Sequence, residues 1–156
     1  MNKTIYKKID ETVHYHKLDN GLQIYFLEKP GFNKTYVTLS TPFGSNITEF
    51  SYGEKDYTIP EGVAHFLEHK LFDVEGSDVS ERFAQYGAQV NAYTMNNQTT
   101  YLFSCTEELK TNISTLLDFV YKPTFTEEGI KKEIGIIAQE INMYEDDPNA
   151  KIYMGV

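Results

Sequence analysis

The chain has 156 residues, of which 40% are hydrophobic and 14% aromatic, enough for one globular domain with a substantial core. Its net charge of −9 repels phosphate backbones and anionic headgroups, so we expect neither nucleic acid nor a membrane as a partner. No membrane span or secretory signal is visible. A lone cysteine, Cys105, excludes an internal disulfide and indicates a cytoplasmic protein.

The first third of the chain is predicted to be extended. Val13–Leu18 and Leu22–Leu27 form a strand pair joined by Asp19-Asn20-Gly21, because Asn-Gly supplies the positive φ angles of a tight hairpin. Alternation predicts a third strand over Tyr36–Ser40. A polar loop is expected to follow, over residues 45–57.

The middle of the chain changes to a helical period. Thr58-Ile59-Pro60-Glu61 has the form of a capping box, which predicts a helix from Thr58 to about Phe72. A second, short helix is predicted to begin at Ser77 or Asp78 and to end at Gly87.

A second hairpin and two longer helices are predicted next. The hairpin joins Gln89–Thr94 to Thr99–Cys105 through two asparagines. Thr106 is predicted to cap a helix that ends before Pro123. Its predicted apolar set is Leu109, Ile113, Leu116, Leu117 and Val120.

Thr126 is predicted to open the last long helix, followed by the start of a further helix at Asp147-Pro148. The apolar stripe of the long helix is predicted to be Ile130, Ile134, Ile137, Ile141 and Tyr144. Because few residues follow Pro148, we expect the chain to be a piece of a longer protein. The predicted fold class is α+β, with an antiparallel or mixed sheet and helices packed mainly on one face.

Two histidines and a glutamate share one stripe of the first predicted helix. In His65-Phe66-Leu67-Glu68-His69, a rotation of about 100° per residue places Glu68 and His69 within about 60° of His65. Imidazoles at positions i and i+4 can bind one metal ion, and zinc is their usual partner. The alternative is a buried histidine pair that is satisfied by core hydrogen bonds.

Glu140 is the best candidate for the third protein ligand that a hydrolytic zinc site needs. It lies at the border of the predicted apolar stripe, where a carboxylate is uncommon unless a cation compensates its charge. Glu133, two turns earlier, is expected to orient a ligand by a hydrogen bond. With zinc bound by the two histidines and Glu140, Glu68 would serve as the general base in metal-assisted amide hydrolysis.

These motifs resemble those of the pitrilysin and insulinase family of zinc endopeptidases, which carry the inverted H-x-x-E-H motif. The resemblance implies that His65, His69 and Glu140 bind zinc. It also implies that Glu68 is the catalytic base and that Glu133 supports the site. The segments similar to the opening hairpin, catalytic helix, substrate strand and second catalytic helix are Leu18–Leu22, Gly62–Phe72, Gly87–Tyr101 and Glu133–Asp147.

The resemblance also gives Asn91, Ala92 and Tyr93 a role in binding substrate. In related enzymes, the edge strand that matches them pairs with the peptide, which enters as an added β-strand. Without the resemblance, the alternation also allows Val90, Ala92 and Thr94 simply to face a core, with Asn91 and Tyr93 at the surface.

Family members enclose the peptide between homologous domains. We therefore expect residues 1–156 to form the N-terminal part of a single zinc peptidase domain, whose active site a second homologous domain or subunit completes. The predicted function is that of a zinc metalloendopeptidase acting on short or unfolded peptides. The alternatives are a non-catalytic peptide-binding or processing subunit and an inactive truncated fragment.

Overall fold

Residues 2–74, 77–146, 148 and 152 are described by the computed structural model of the chain, which divides into two compact units, residues 1–33 and 34–156. In the first unit, β1 (Asn2–Tyr6), β2 (Glu11–Lys17) and β3 (Gln23–Leu27) form an antiparallel sheet in the order β1-β2-β3. The predicted strand pair is confirmed as β2 and β3. All five residues of β1 are exposed, so no buried alternation marks this strand in the sequence.

A three-stranded antiparallel sheet is the centre of the second unit. The strands of this unit are β4 (Thr35–Thr41), β5 (Glu49–Tyr52), β6 (Lys55–Thr58), β7 (Asp73–Val74), β8 (Ser77–Asp78), β9 (Ala88–Thr94) and β10 (Thr99–Cys105). The sheet has the order β4-β10-β9, while β5-β6 and β7-β8 form separate pairs. The predicted third strand and second hairpin are confirmed. The predicted loop over residues 45–57 is wrong, because it contains the β5–β6 hairpin.

The helices of the described residues match the predicted bounds at some ends and differ from them at others. They are α1 (Val63–Phe72), α2 (Val79–Gln85), α3 (Leu109–Tyr121) and α4 (Glu127–Asp146). The prediction of Thr58 as the N-cap of α1 is wrong, because Thr58 is the last residue of β6. Helix α1 begins directly after Gly62, whose backbone φ is 84°. The prediction of Thr106 as the N-cap of α3 is also wrong, because Glu108 is the N-cap. Asp78 and Thr126 do accept hydrogen bonds from the first turns of α2 and α4.

Helices α1, α2 and α3 pack against the three-stranded sheet. The core of the second unit is mainly aromatic, with Phe83 of α2 and Phe119 of α3 in contact at a ring distance of 6.0 Å. Of the apolar set predicted for α3, Leu116 is buried but Leu109 and Leu117 are exposed, because the helix turns Phe119 inward instead. This arrangement of antiparallel strands and helices confirms the predicted α+β fold class.

The inward face of α4 differs from the predicted apolar stripe. Ile134 and Ile141 are 56% and 54% exposed, whereas Glu133 is 7% exposed and Glu140 is half-buried. The face of α4 that packs against α1 therefore carries carboxylates. At this polar site the apolar residues of the helix do not mark its buried face. The predicted helix start at Asp147 lies outside the described residues. No helix in the described part of the chain is long and apolar enough to cross a membrane.

Candidate metal centre

Helix α1 places His65 and His69 side by side. They lie one turn apart, so their side chains leave the helix in nearly the same direction. The two ring centroids are 4.5 Å apart and the ring planes meet at 76°. Both imidazoles are half-buried, at 35% and 27% exposure. One face of α1 thus offers two nitrogens in a partly enclosed space.

Glu140 of α4 approaches the same point from the facing helix. Its Oε2 lies 3.7 Å from His65 Nε2 and 3.5 Å from His69 Nε2, and ligand atoms of all three residues lie within 4.8 Å of one another. Ligand atoms around a tetrahedral zinc ion, at bonds of 2.0–2.1 Å, are about 3.4 Å apart. The observed spacing therefore fits three protein ligands to one small cation.

The environment of the Glu140 carboxylate also fits a cation. Its Oε2 is buried and accepts no hydrogen bond from any residue that the structure describes. A buried carboxylate oxygen without a donor is costly. Two imidazole nitrogens face this oxygen beyond hydrogen-bonding distance. A divalent ion among the three atoms would supply the missing positive charge, and zinc suits two imidazoles and one carboxylate.

Glu133 lies behind one of these imidazoles. Its Oε1 is 3.0 Å from His69 Nδ1. A carboxylate only accepts hydrogen bonds, so Nδ1 is the donor. This bond leaves the lone pair of His69 on Nε2, the nitrogen that faces Glu140. The predicted hydrogen bond between Glu133 and a candidate ligand is therefore present in the structure, with His69 Nδ1 as the donor.

Glu68 lies between the two histidines in sequence, and a residue of the sheet forms a hydrogen bond with its side chain. Thr94 Oγ1 at the end of β9 donates a hydrogen bond of 2.9 Å to Glu68 Oε2. Burial, and secondarily the negative charge of Glu68, raise the pKa of the Tyr101 hydroxyl above its usual value. Glu68, His69 and Glu133 line a cavity of about 390 Å³, so the predicted base shares this cavity with one candidate ligand, His69.

Asn91, Ala92 and Tyr93 lie on an edge strand beside this cavity. On one side β9 pairs with β10, and on the other it pairs with no strand of the described chain. Asn91 and Ala92 line the cavity, while the Tyr93 side chain is exposed. The Ala92 N–H donates to Asn91 Oδ1 at 2.9 Å and so does not serve the β10 ladder. The edge therefore has a main-chain donor on its open side.

Lys70, next to His69, is a buried cation between the two ligand-bearing helices. It is 3% exposed, and its Nζ donates to Asp73 Oδ2 at 2.9 Å. A Cβ added at Gly129 of α4 would lie 3.0 Å from Lys70 Nζ and 3.1 Å from Cε. The side chain of Lys70 therefore lies against the first turn of α4.

Sequence reasoning did not identify Thr94 or Lys70 as part of this region. Thr94 shares a strand face with Ala92, at a spacing of two, and this alternation is a signal that could have indicated it. Lys70 precedes Asp73 by three residues, a spacing that could have indicated an ion pair. The alternation around Thr94 does not specify its partner, because Glu68 lies on another element.

Residues 51–154 match the sequence profile of Insulinase (Peptidase family M16). The chain belongs to this family. An insulinase-family relative, YmfH of Bacillus subtilis, is named an uncharacterized zinc protease and is 47% identical over 153 residues. The match covers 97% of this chain and 36% of that protein. The family resemblance stated from the motifs is thus confirmed.

Solved structures agree with this insulinase-family membership. The fold is similar to that of an M16-like peptidase from Alicyclobacillus acidocaldarius, with a TM-score of 0.87 and 41% identity over 93% of this chain and 34% of that one. A protease from Helicobacter pylori shares the fold, with a TM-score of 0.75 and 20% identity, over 90% of this chain and 33% of that one. The chain spans about a third of the length of two curated relatives that it matches, YmfH and AlbF of Bacillus subtilis.

Proposed function

We propose that this insulinase-family chain carries the metal-binding and catalytic residues of a zinc-dependent endopeptidase that hydrolyses short or unfolded peptides. The observation that carries the proposal is the approach of Glu140 Oε2 to within 3.7 Å of His65 Nε2 and 3.5 Å of His69 Nε2. Relatives of the chain are named zinc proteases, which supports zinc as the ion.

In this proposal His65, His69 and Glu140 hold the zinc ion. When bound, zinc supplies Lewis acidity that stabilises negative charge on the scissile carbonyl oxygen and makes water more acidic. Glu133 keeps His69 in the tautomer that presents Nε2 to the ion, through its hydrogen bond to Nδ1 at 3.0 Å. It therefore supports the ligand without touching the reacting atoms.

Glu68 acts as the general base. It takes a proton from the water that attacks the peptide carbonyl carbon, and it then returns this proton to the leaving amine nitrogen. The C–N bond breaks to give a carboxylic acid and an amine, and the acid then passes its proton to the amine, which leaves a carboxylate and an ammonium group. Glu68 and His69 line the same cavity of about 390 Å³, and this position supports the role of Glu68 as the base.

The peptide binds along the open side of β9 in an extended conformation. Main-chain hydrogen bonds of this kind depend on backbone shape more than on side chains, which suits an enzyme that accepts many unfolded sequences. Asn91, Ala92 and Tyr93 provide the edge. The Ala92 N–H now donates to Asn91 Oδ1. When substrate binds, this N–H donates to a carbonyl oxygen of the peptide instead.

We further propose that a second homologous domain or subunit completes the active site. The chain covers 36% of YmfH and 34% of the Alicyclobacillus acidocaldarius peptidase. The cavity beside the centre is open to solvent along β9 in the described chain, so a further domain has room to close over a bound peptide and exclude water.

Zinc stoichiometry of the purified chain tests the proposal. After dialysis against buffered zinc, elemental analysis should give about one zinc per chain, and His65→Ala should lose it. The matched control is His16→Ala, which removes an exposed histidine of β2 and should keep the zinc. Equal zinc content in His65→Ala and the unaltered chain would contradict the assignment of ligands.

A further inference from the structure

We propose that Thr94 is a positioning residue that fixes the orientation of the Glu68 carboxylate and ties the base to the strand that aligns the peptide. This inference rests on the proposed function, because it assumes that Glu68 is the general base. Thr94 does not belong to the three-residue metal cluster, and its action on the reaction would pass through Glu68.

The contact that carries the inference is a single charge-assisted hydrogen bond. Thr94 Oγ1 donates to Glu68 Oε2 at 2.9 Å, and both side chains are half-buried. A hydroxyl donor on an ionised carboxylate makes a stronger bond than one between neutral groups. It fixes the rotation of the carboxylate plane, because only one of the two oxygens meets Thr94. The other oxygen then has a defined direction in which to accept a proton.

Thr94 can hold Glu68 in place because the end of β9 is itself fixed. Thr94 lies opposite Thr99 in the ladder with β10, and the next residue, Met95, donates from its N–H to the Gln98 carbonyl at 2.8 Å. Gly44 packs under this turn so closely that an added Cβ would clash with the Met95 carbonyl oxygen. Backbone atoms on both sides therefore set the position of Thr94.

The same strand would position both the base and the substrate. Ala92, the proposed main-chain donor to the peptide, is two residues before Thr94 on β9, so the two residues lie on the same face of the sheet. A peptide paired with β9 and a carboxylate bonded to β9 keep a constant relative position. Errors of about 1 Å in such alignment can cost about a hundredfold in rate. Thr94 should therefore affect turnover more than binding.

The test compares Thr94→Val, which keeps the shape and loses the hydroxyl, with Thr94→Ser, which keeps the hydroxyl. Both are made in the full-length protein and assayed on a quenched fluorescent peptide. Thr94→Val should lower kcat about ten- to a hundredfold and change KM less than about twofold. Thr94→Ser should stay within about threefold of the unaltered kcat. Zinc content should be unchanged in both.

Thr99→Val is the matched control. Thr99 lies directly opposite Thr94 and also donates its hydroxyl, to the Phe43 carbonyl at 2.8 Å, so its loss tests the general effect of removing a strand hydroxyl here. It should lower thermal stability and leave kcat unchanged. In a Glu68→Gln background, Thr94→Val should produce no further loss of kcat, because the two residues act as a unit.

A readout independent of activity comes from the structure of the variant. A crystal structure of Thr94→Val should show the Glu68 carboxylate turned from its present orientation, with the metal ligands in place. If Thr94→Val fails to fold, Thr94→Ala takes its place, with the same expected loss of kcat. An unmoved carboxylate would overturn the inference.

The outcomes separate the inference from the proposed function. Full turnover in Glu68→Gln would refute the role of the base, and with it the proposed mechanism. An inactive Glu68→Gln together with normal kcat in Thr94→Val would overturn only the role of Thr94. The inference is also overturned if Thr94→Ser falls as far as Thr94→Val, since packing would then be the cause, or if Thr94→Val loses zinc.

Discussion

Glu133 of α4 accepts a hydrogen bond from His69 Nδ1 of α1 at 3.0 Å, across the contact between the two helices that carry the candidate ligands. The carboxylate is 7% exposed, a position that such a group seldom occupies without a partner. Helix α4 therefore supplies Glu140 and, through Glu133, also orients a histidine of α1. Alignment of the two helices therefore brings the candidate ligands together and also determines the tautomer of His69.

The first prediction follows from this bond. Glu133→Ala should weaken zinc binding about ten- to a hundredfold, the usual loss when a residue that orients a metal ligand is removed. Competition with a chromophoric chelator measures the affinity. Glu128→Ala, at an exposed acid in the first turn of the same helix, is the control and should bind zinc normally. Equal affinities in the two variants would remove Glu133 from the site.

The second prediction concerns the proposed base. Glu68→Gln preserves the size of the side chain and removes its ability to take a proton. In the full-length protein it should retain about one zinc per chain and lose at least about a hundredfold in kcat. Elemental analysis and peptide turnover measure the two quantities on the same sample. Retained turnover would show that another group accepts the proton of the attacking water.

The third prediction uses two glycines of α4. An alanine at Gly135 has no atom within 4 Å of its Cβ, whereas at Gly129 it would press on Lys70 at 3.0 Å. Helix propensity favours alanine by about 1 kcal/mol, so Gly135→Ala should raise the free energy of unfolding and leave zinc affinity unchanged. Gly129→Ala should lose that gain and weaken zinc binding, because it pushes α4 away from α1.

Urea denaturation and chelator competition measure the two effects of these glycine substitutions. If Gly129→Ala matches Gly135→Ala in both stability and zinc affinity, Lys70 moves aside without cost and does not set the helix spacing.

The fourth prediction concerns the open side of β9. Ala92→Pro removes an N–H that donates to Asn91 Oδ1 and not to β10, so the ladder should persist while the peptide loses a partner. The variant should keep its zinc and show a fall in kcat/KM of about tenfold, which is about the effect of losing one hydrogen bond to the peptide. Ala92→Ser keeps the N–H and is the control. An unaffected kcat/KM in Ala92→Pro would place the peptide elsewhere.

Local patterns predicted the parts of the fold and site that depend on neighbours in sequence. The pairing of His65 with His69 follows from a spacing of one helical turn, and the β9–β10 hairpin follows from alternation around a short turn. These features need no knowledge of the rest of the molecule. For the same reason the end of α1 at Phe72 and the end of α3 before Pro123 were predicted correctly.

Features that depend on contacts between distant elements were predicted less well. Thr58 fits a capping box, but its backbone pairs with Glu49 in the β5–β6 hairpin, which outweighs the local signal. The apolar stripe predicted for α4 included Ile134 and Ile141, which are exposed, because the face toward α1 carries Glu133 and Glu140. The hydrogen bond from Thr94 to Glu68 joins β9 to α1. The periodicity of a single strand or helix cannot predict a contact between two elements.

The division of the candidate ligands between α1 and α4 has a consequence for how the protein assembles. About 70 residues separate His69 from Glu140 along the chain, and closing a loop of that length carries an entropic cost that local helix formation does not. The intervening residues include β9, β10 and α3. A nascent chain that has made α1 alone presents only the two histidines, so full-strength metal capture should occur late in folding, after the central hairpin is in place.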